Sequence, residues 1–381
     1  ALGHRPFYEL IEQLLRNRRF NNLRCGLAFA WHTDSSSSWY ASNTKVLTGS
    51  HDPIQSVGSL CRALAIAEPL LCSIAERVPN LYIGPTRKPK KSGNGFRDVY
   101  DTRLPLKPLL KRINKVFFER VVFPDYLHGS IRSCDFISNA RMHEGSVTVI
   151  TEDIKGFFDH ITEEHAYAIW RRFFGFGEVP SELLTKLVTN GGRVYQGSPT
   201  SSYLANLVFW DIEPRMVETL GVRGLRYSRF VDDVTMSHPT SIGTEEKTWA
   251  IAQVYAMLGS HGFKPARQKH AIFNGSASRT IMRVNVNEHL TITPAERRQV
   301  RAMVHQLEQR VRSGENTSEV RQLLSSAIGK IGRIQRLHPS YAEKLRVQAR
   351  GIQLTLDEMP FSTESQASFI ASQADEGDSP F

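Results

Sequence analysis

Residues 226–237 read RYSRFVDDVTMS, two short alternating runs that meet at Asp232 and Asp233. Alternation at period two marks a strand, so the stretch predicts a strand–turn–strand hairpin with both aspartates at its apex. Aspartate is a common turn residue, and a lone pair at a turn needs no further reason. Two carboxylates this close also raise each other's pKa unless a cation neutralises them. Two Mg²⁺ ions would do so, because Mg²⁺ favours a few carboxylates together with phosphate oxygens. The pair alone leaves both readings open.

Upstream, SVTVI at 146–150 is a β-branched run that predicts a buried strand ending at Asp153, followed by Ile154, Lys155, Gly156, Phe157 and Phe158. Between the two acidic points lies GRVYQGSPTS at 192–201, leading into a helix with Asn206. Gly197 there lets the backbone approach a ligand closely, and the Ser/Pro/Thr run starts the helix. Downstream, HGFKPARQKH at 261–270 sets Lys269 within reach of a phosphate. Helical patterns are expected at 6–30, 53–78, 108–121, 162–174, 181–189, 202–219 and 245–261. Three more run from Pro294 to Arg350, with Val300, Met303, Val304, Leu307 and Val311 on one face, then Val320, Leu323, Leu324, Ala327, Ile328 and Ile331 on the next. Residues 31–45 and 84–97 read as loops, the second hairpin-like and carrying Arg87, Lys88, Lys90 and Lys91.

This order of motifs resembles prokaryotic reverse transcriptases, especially the retron-type group and related defence-associated enzymes, over roughly residues 84–310. Asp-x-x-x-Phe-Phe at 153–158 is similar to their first palm motif. Gln196 to Ser201 with Leu204, Asn206 and Leu207 resembles the template-positioning motif, and Arg229 to Asp233 the Tyr/Phe-x-Asp-Asp motif. Gly262, Phe263 and Lys269 resemble the motif that follows. Asn139-Ala140-x-x-His143 resembles a retron-type element, and Arg97 with Leu104, Pro105 and Leu109 the fingers. Two features depart from the pattern. Ile281-Met282-Arg283 stands where retron enzymes usually carry Val-Thr-Gly, and the chain adds an N-terminal extension of about 80 residues and an acidic tail. Both imply a relative outside the ordinary retrons, with its own noncoding RNA.

The resemblance implies an α+β right-hand polymerase: fingers, an antiparallel RRM-like palm and a helical thumb, after an N-terminal helical extension. The expected bounds are 1–83 for the extension, 84–152 for fingers and the start of the palm, 153–290 for the palm, 291–350 for the thumb and 351–381 for an acidic tail. Asp153 and Asp232 would hold two Mg²⁺ (Mn²⁺ as a substitute), with Asp233 nearby and the Ile154 carbonyl as a further ligand. Phe158 would be a steric gate against a ribose 2′-OH, or a core residue like Phe157. Arg97 and Lys90 or Lys91 would pair with the dNTP triphosphate, and Gln196 and Gly197 would lie beside the nascent base pair. Lys269 is the candidate general acid. Asn139 and His143 either order a loop or contact template RNA. Arg283, Arg297 and Arg301 would bind RNA.

Composition sets the bounds around this reading. The 381 residues are 40% hydrophobic and carry a net charge of +10, which excludes a mainly disordered chain. Residues 351–381 hold six acids and no Lys or Arg, so the first 350 carry +16. Such a surplus suits nucleic acid or another anionic surface. Cys25, Cys61, Cys72 and Cys134 lack metal-site spacing and fit a reducing cytoplasm. No signal peptide is visible, and the apolar window Leu60–Ala75 is broken by Arg62, Glu68 and Pro69, so no membrane partner is expected. The expected partners are a noncoding RNA template or primer, the cDNA product, dNTPs, and an effector protein or a second copy. The length leaves no room for a second catalytic domain. Four readings compete with a templated DNA polymerase: an untemplated or protein-primed DNA polymerase of a phage-defence system, a catalytically inactive RNA-binding scaffold, an intron-type maturase, and an RNA-directed RNA polymerase, against which Phe158 argues.

Overall fold

β-branched residues dominate Thr148–Asp153, and the computed structural model places that strand inside one antiparallel sheet. The structure describes residues 53–89, 95–275 and 277–361. The helix expected at 6–30, the loop at 31–45, Cys25, Lys90, Lys91 and the chain after Phe361 lie outside the described residues.

The sheet has the strand order β4–β5–β3–β6, formed by β3 (Thr148–Asp153), β4 (Arg226–Phe230), β5 (Asp233–His238) and β6 (Ala271–Phe273). β3 and β5 pair in register from Thr148↔His238 to Asp153↔Asp233. Val149 and Ile150 are fully buried, as the apolar run predicts. The expected hairpin at 226–237 is present as β4–β5.

Helical segments before the sheet build a second core. α1 (Val57–Leu64) and α2 (Glu68–Glu76) replace the single stretch expected at 53–78. Ala65 takes a left-handed conformation and Pro69 opens α2, so the two helices meet at 94°. α3 (Leu106–Val116) ends in Phe117 and Phe118, whose rings pack against Trp170, centroids 5.9 and 4.9 Å away. Among the described residues no single helix is long and apolar enough to cross a bilayer.

The hairpin-like segment at 84–97 is largely paired strand, β1 (Tyr82–Pro89) with β2 (Phe96–Thr102), rather than loop. The stretch 202–219, expected as one helix, is two: α7 (Ser201–Leu207) and α8 (Glu213–Val222). Pro214 lacks a donor and its ring clashes with the preceding turn, which breaks the helix. α4 (Phe136–Arg141) precedes β3; α5 (Glu163–Ala168) and α6 (Glu178–Val188) lie between β3 and α7, and α9 (Thr244–Ser260) follows β5.

After β6, three two-residue strands, β7 (Thr280–Ile281), β8 (Val284–Asn285) and β9 (Thr291–Ile292), lead into three helices. These are α10 (Pro294–Arg312), α11 (Ser318–Gln335) and α12 (Pro339–Glu358). Val300, Val304, Leu307, Val311, Val320, Leu324, Ala327 and Ile331 form their core, and that core runs on into Ile137, Ala140 and Val149. Ile328, expected on the buried face, is 47% exposed. The boundary expected at Arg350 falls inside α12, where Ile352 and Leu356 are still buried. The start of the acidic segment is therefore helix, not tail. Asn316 closes that end by donating through Nδ2 to the carbonyls of Leu356 and Met359 at 3.0 and 2.9 Å.

Candidate active site

Register brings the acids together. Asp153, the last residue of β3, faces Asp233, the first of β5, and Asp232 lies in the turn just before it. Ile154 N–H donates to the Asp232 carbonyl at 3.0 Å, and Ala266 N–H to that of Asp153 at 2.7 Å. The Lys269 ammonium lies 2.5 Å from Asp153 Oδ2.

Desolvation by the surrounding chain, then the charge of Asp153, raises the Asp232 carboxyl. Asp233 keeps one side open to solvent, yet desolvation and then the charges of Asp232 and Asp153 push it up to about 7. Burial alone would lower the Lys269 ammonium. Its bond to Asp153 and the three carboxylate charges outweigh that and raise it, so it stays protonated. The cluster is an anionic point with too little positive charge of its own.

Among the described residues no three His, Cys, Asp or Glu side chains converge tightly enough to hold a metal unaided. Mg²⁺ does not need a closed protein cage, because it takes one or two carboxylates plus waters and substrate phosphates. Hard oxygen donors, with the Asp232 and Asp233 carboxyls raised by desolvation and then by neighbouring carboxylate charge, fit that ion.

The nucleotide-side residues form a second group. Gln196 accepts from Tyr100 N–H on β2 at 2.8 Å through its backbone carbonyl. Gly197 has φ 109, and a Cβ there would run into the Tyr100 carbonyl. The Tyr195 and Tyr100 rings lie 4.0 Å apart by centroid, which pins this loop to the strand carrying exposed Arg97. Phe157 is buried against Phe209 and Phe263, whereas Phe158 is only half-buried.

Of the two readings of Asn139 and His143, template contact is the one the structure does not support. Asn139 and His143 are buried in the fold and cannot meet RNA. His143 bridges β4 to β5, Nε2 to Ser228 Oγ and Nδ1 to Ser237 Oγ, each at 2.7 Å. Burial, then nearby Arg226 and His128, lowers its pKa to about 3, so the ring is a neutral tie. Arg283 and Arg301 are exposed, while Arg297 is half-buried with its guanidinium 5.6 Å from the Tyr341 ring centroid.

Sequence reading missed several supports. Glu152 is buried beside Asp153 and binds His270 Nδ1 at 2.6 Å and the Tyr255 hydroxyl at 3.3 Å, anchoring the segment that carries Lys269. The available signal was a charge inside an apolar strand. Arg229 and Glu213, both fully buried, form an ion pair with Nε–Oε1 2.6 Å. Val231, just before Asp232, is held at φ 60. A β-branched residue there costs on the order of 1–3 kcal/mol.

No family model matches the chain. It is similar to the retron Se72 reverse transcriptase of Salmonella heidelberg (strain 579083-10), 32% identical over 81% of this chain and 83% of that protein. It is also similar to the retron Ec48 reverse transcriptase of Escherichia coli, 28% identical over 81% and 78% of the two chains. Among solved structures it is similar to apo telomerase from Candida tropicalis, with TM-score 0.40 and 11% identity over 79% of this chain and 65% of that one.

Proposed function

The chain belongs to the retron reverse transcriptases and is an RNA-directed DNA polymerase, and from that premise we propose that it copies a structured noncoding RNA into DNA at Asp153, Asp232 and Asp233. Carrying Ile281-Met282-Arg283 does not remove it from the family. The observation that carries the reading is the register pairing of Asp153 with Asp233, with Asp232 in the adjoining turn. Asp153 and Asp232 would hold two Mg²⁺, or Mn²⁺, with Asp233 beside them and the Ile154 carbonyl as a further ligand. When bound, such ions make the primer 3′-OH a better nucleophile and neutralise the triphosphate.

The chain's own groups do the rest. The primer 3′-hydroxyl gives up its proton to water as its oxygen bonds to the α-phosphorus and the bond to pyrophosphate breaks, and protonated Lys269 gives its proton to the leaving oxygen. Arg97, with Lys90 or Lys91, pairs with the triphosphate. Gln196 and Gly197 border the nascent base pair; their attachment to β2 supports this. Phe158, half-exposed beside a buried Phe157, excludes the ribose 2′-OH. Fingers would span 84–152, palm 153–290 and thumb 291–358. Exposed Arg283 and Arg301 would meet the RNA–DNA duplex backbone, recognised by shape and charge. We infer from the resemblance a setting in antiphage defence, with an effector protein or a second copy as partner.

A primer-extension assay on an RNA template tests the reading. Asp232→Ala with Asp233→Ala abolishes dNTP incorporation and leaves RNA affinity within about twofold; retained synthesis sinks the mechanism. In the same assay Phe158→Ala admits rNTPs, and unchanged sugar selectivity refutes the gate. Sequencing nucleic acid that co-purifies with the protein checks templating: a defined RNA with complementary DNA supports it, and DNA with no matching RNA contradicts it.

A further inference from the structure

The turn that carries Asp232 is held from two sides, and both holds start from the same helix. Left-handed Val231 is a strained conformation for a β-branched side chain, so its surroundings must impose it. On one side, fully buried Arg229 folds its guanidinium back and donates to the Val231 carbonyl at 3.1 Å. The same guanidinium donates to the carbonyls of Ala205 and Asn206 at the end of α7, at 3.1 and 2.9 Å. Its fork is fixed by Glu213, with Nη2–Oε2 2.8 Å, and Tyr227 donates its hydroxyl to Glu213 Oε1 at 2.7 Å. On the other side, Gly129 backs directly onto the turn; a Cβ there would come within 2.6 Å of Val231 N. Asn206 Nδ2 donates to the Gly129 carbonyl at 2.7 Å and keeps that backbone in place.

We propose that Arg229 and Asn206 are positioning residues that tie α7, and with it the Gln196–Gly197 loop, to the placement of the Asp232 carboxylate. The idea rests on Asp232 being a metal ligand. A buried ion pair is weak evidence for stability, since apolar residues of similar volume often replace one without loss. Here the fork supplies direction, reaching Glu213, two helix-end carbonyls and the turn at once, which a single lysine ammonium does not do. Divalent ions that demand near-ideal octahedral geometry feel a displaced carboxylate strongly. Loosening either hold therefore weakens metal binding before it weakens duplex binding.

The test uses the full chain, an RNA–DNA duplex whose primer lacks a 3′-OH, and the matching dNTP. Bound Mn²⁺ is read from the loss of the free-ion EPR signal, with no turnover. Asn206→Ala and Gly129→Ala are expected to lower Mn²⁺ affinity about tenfold while duplex affinity and the circular dichroism spectrum stay as in the unsubstituted chain. Arg229→Lys, if folded, is expected not to restore it. A purely structural role would instead lower the unfolding temperature and every affinity together. Mn²⁺ affinity unchanged in folded Asn206→Ala and Gly129→Ala overturns the proposal. Asp232→Asn separates the two layers: if that variant binds Mn²⁺ as tightly as the unsubstituted chain, Asp232 is not a ligand and the reading of the site fails; if it loses Mn²⁺, a null result in the other variants counts against the clamp alone.

Discussion

His143 sits between Ser228 and Ser237 with no solvent exposure, and its ring stays neutral down to about pH 3 against an ordinary value of 6.5. The unfolded chain takes up a proton below pH 6.5 that the folded chain refuses. Stability from this residue is therefore full above pH 6.5 and falls by up to about 1.4 kcal/mol per unit as pH drops towards 3. His128, lowered to about 4 mainly by burial, adds a term of the same sign. Urea midpoints at pH 7.0 and 5.5 should differ less in His143→Gln than in the unsubstituted chain; an equal difference would show that the ring is accessible. The motif Asn139-Ala140-x-x-His143 was legible as a unit, but its role was not, because spacing does not say which way a side chain faces. Asp153, Asp232 and Asp233 stood out through the ordered motifs around them, not through the Asp pair itself, which a turn alone explains. Glu152, one residue from Asp153, was passed over because its partners Tyr255 and His270 lie more than a hundred residues away.

Elements follow the apolar pattern where burial is one-sided. In α11, Leu324 is 1% exposed and Ile328 is 47% exposed, although both are apolar positions of the same helix. Leu324→Ala should cost about 2–5 kcal/mol, the range for a filled core site. Ile328→Ala should stay within about 0.5 kcal/mol. Urea unfolding measures both, and similar losses would mean that Ile328 is covered. The expected single helices at 53–78 and 202–219 each broke at a proline, Pro69 and Pro214, where the apolar period continues but the backbone donor is missing. The segment at 84–97 formed strands because β1 and β2 supply each other's backbone partners, although most of their side chains are exposed. No amphipathic signal marks such a hairpin.

Across the whole molecule, charge is unevenly distributed. The first 350 residues carry +16, while the site at the sheet end gathers three aspartates. Duplex affinity should fall steeply with salt, by about 10³-fold between 50 and 200 mM if about six phosphates are neutralised. Replacing exposed Arg301 by Ala should reduce the slope of log affinity against log salt by about one. A flat salt response, measured by fluorescence anisotropy, would place the basic surplus away from the duplex. By itself the sequence determined β3, β4 and β5 but not the short β6, together with the three terminal helices, because each depends on local period; the order of motifs singled out the three aspartates. Only the tertiary structure decided that Asp153 and Asp233 share a register, that His143 and Asn139 are interior, and that Arg229 and Asn206 grip the Asp232 turn. Those facts depend on contacts between residues distant in the chain, and local periodicity carries no record of them.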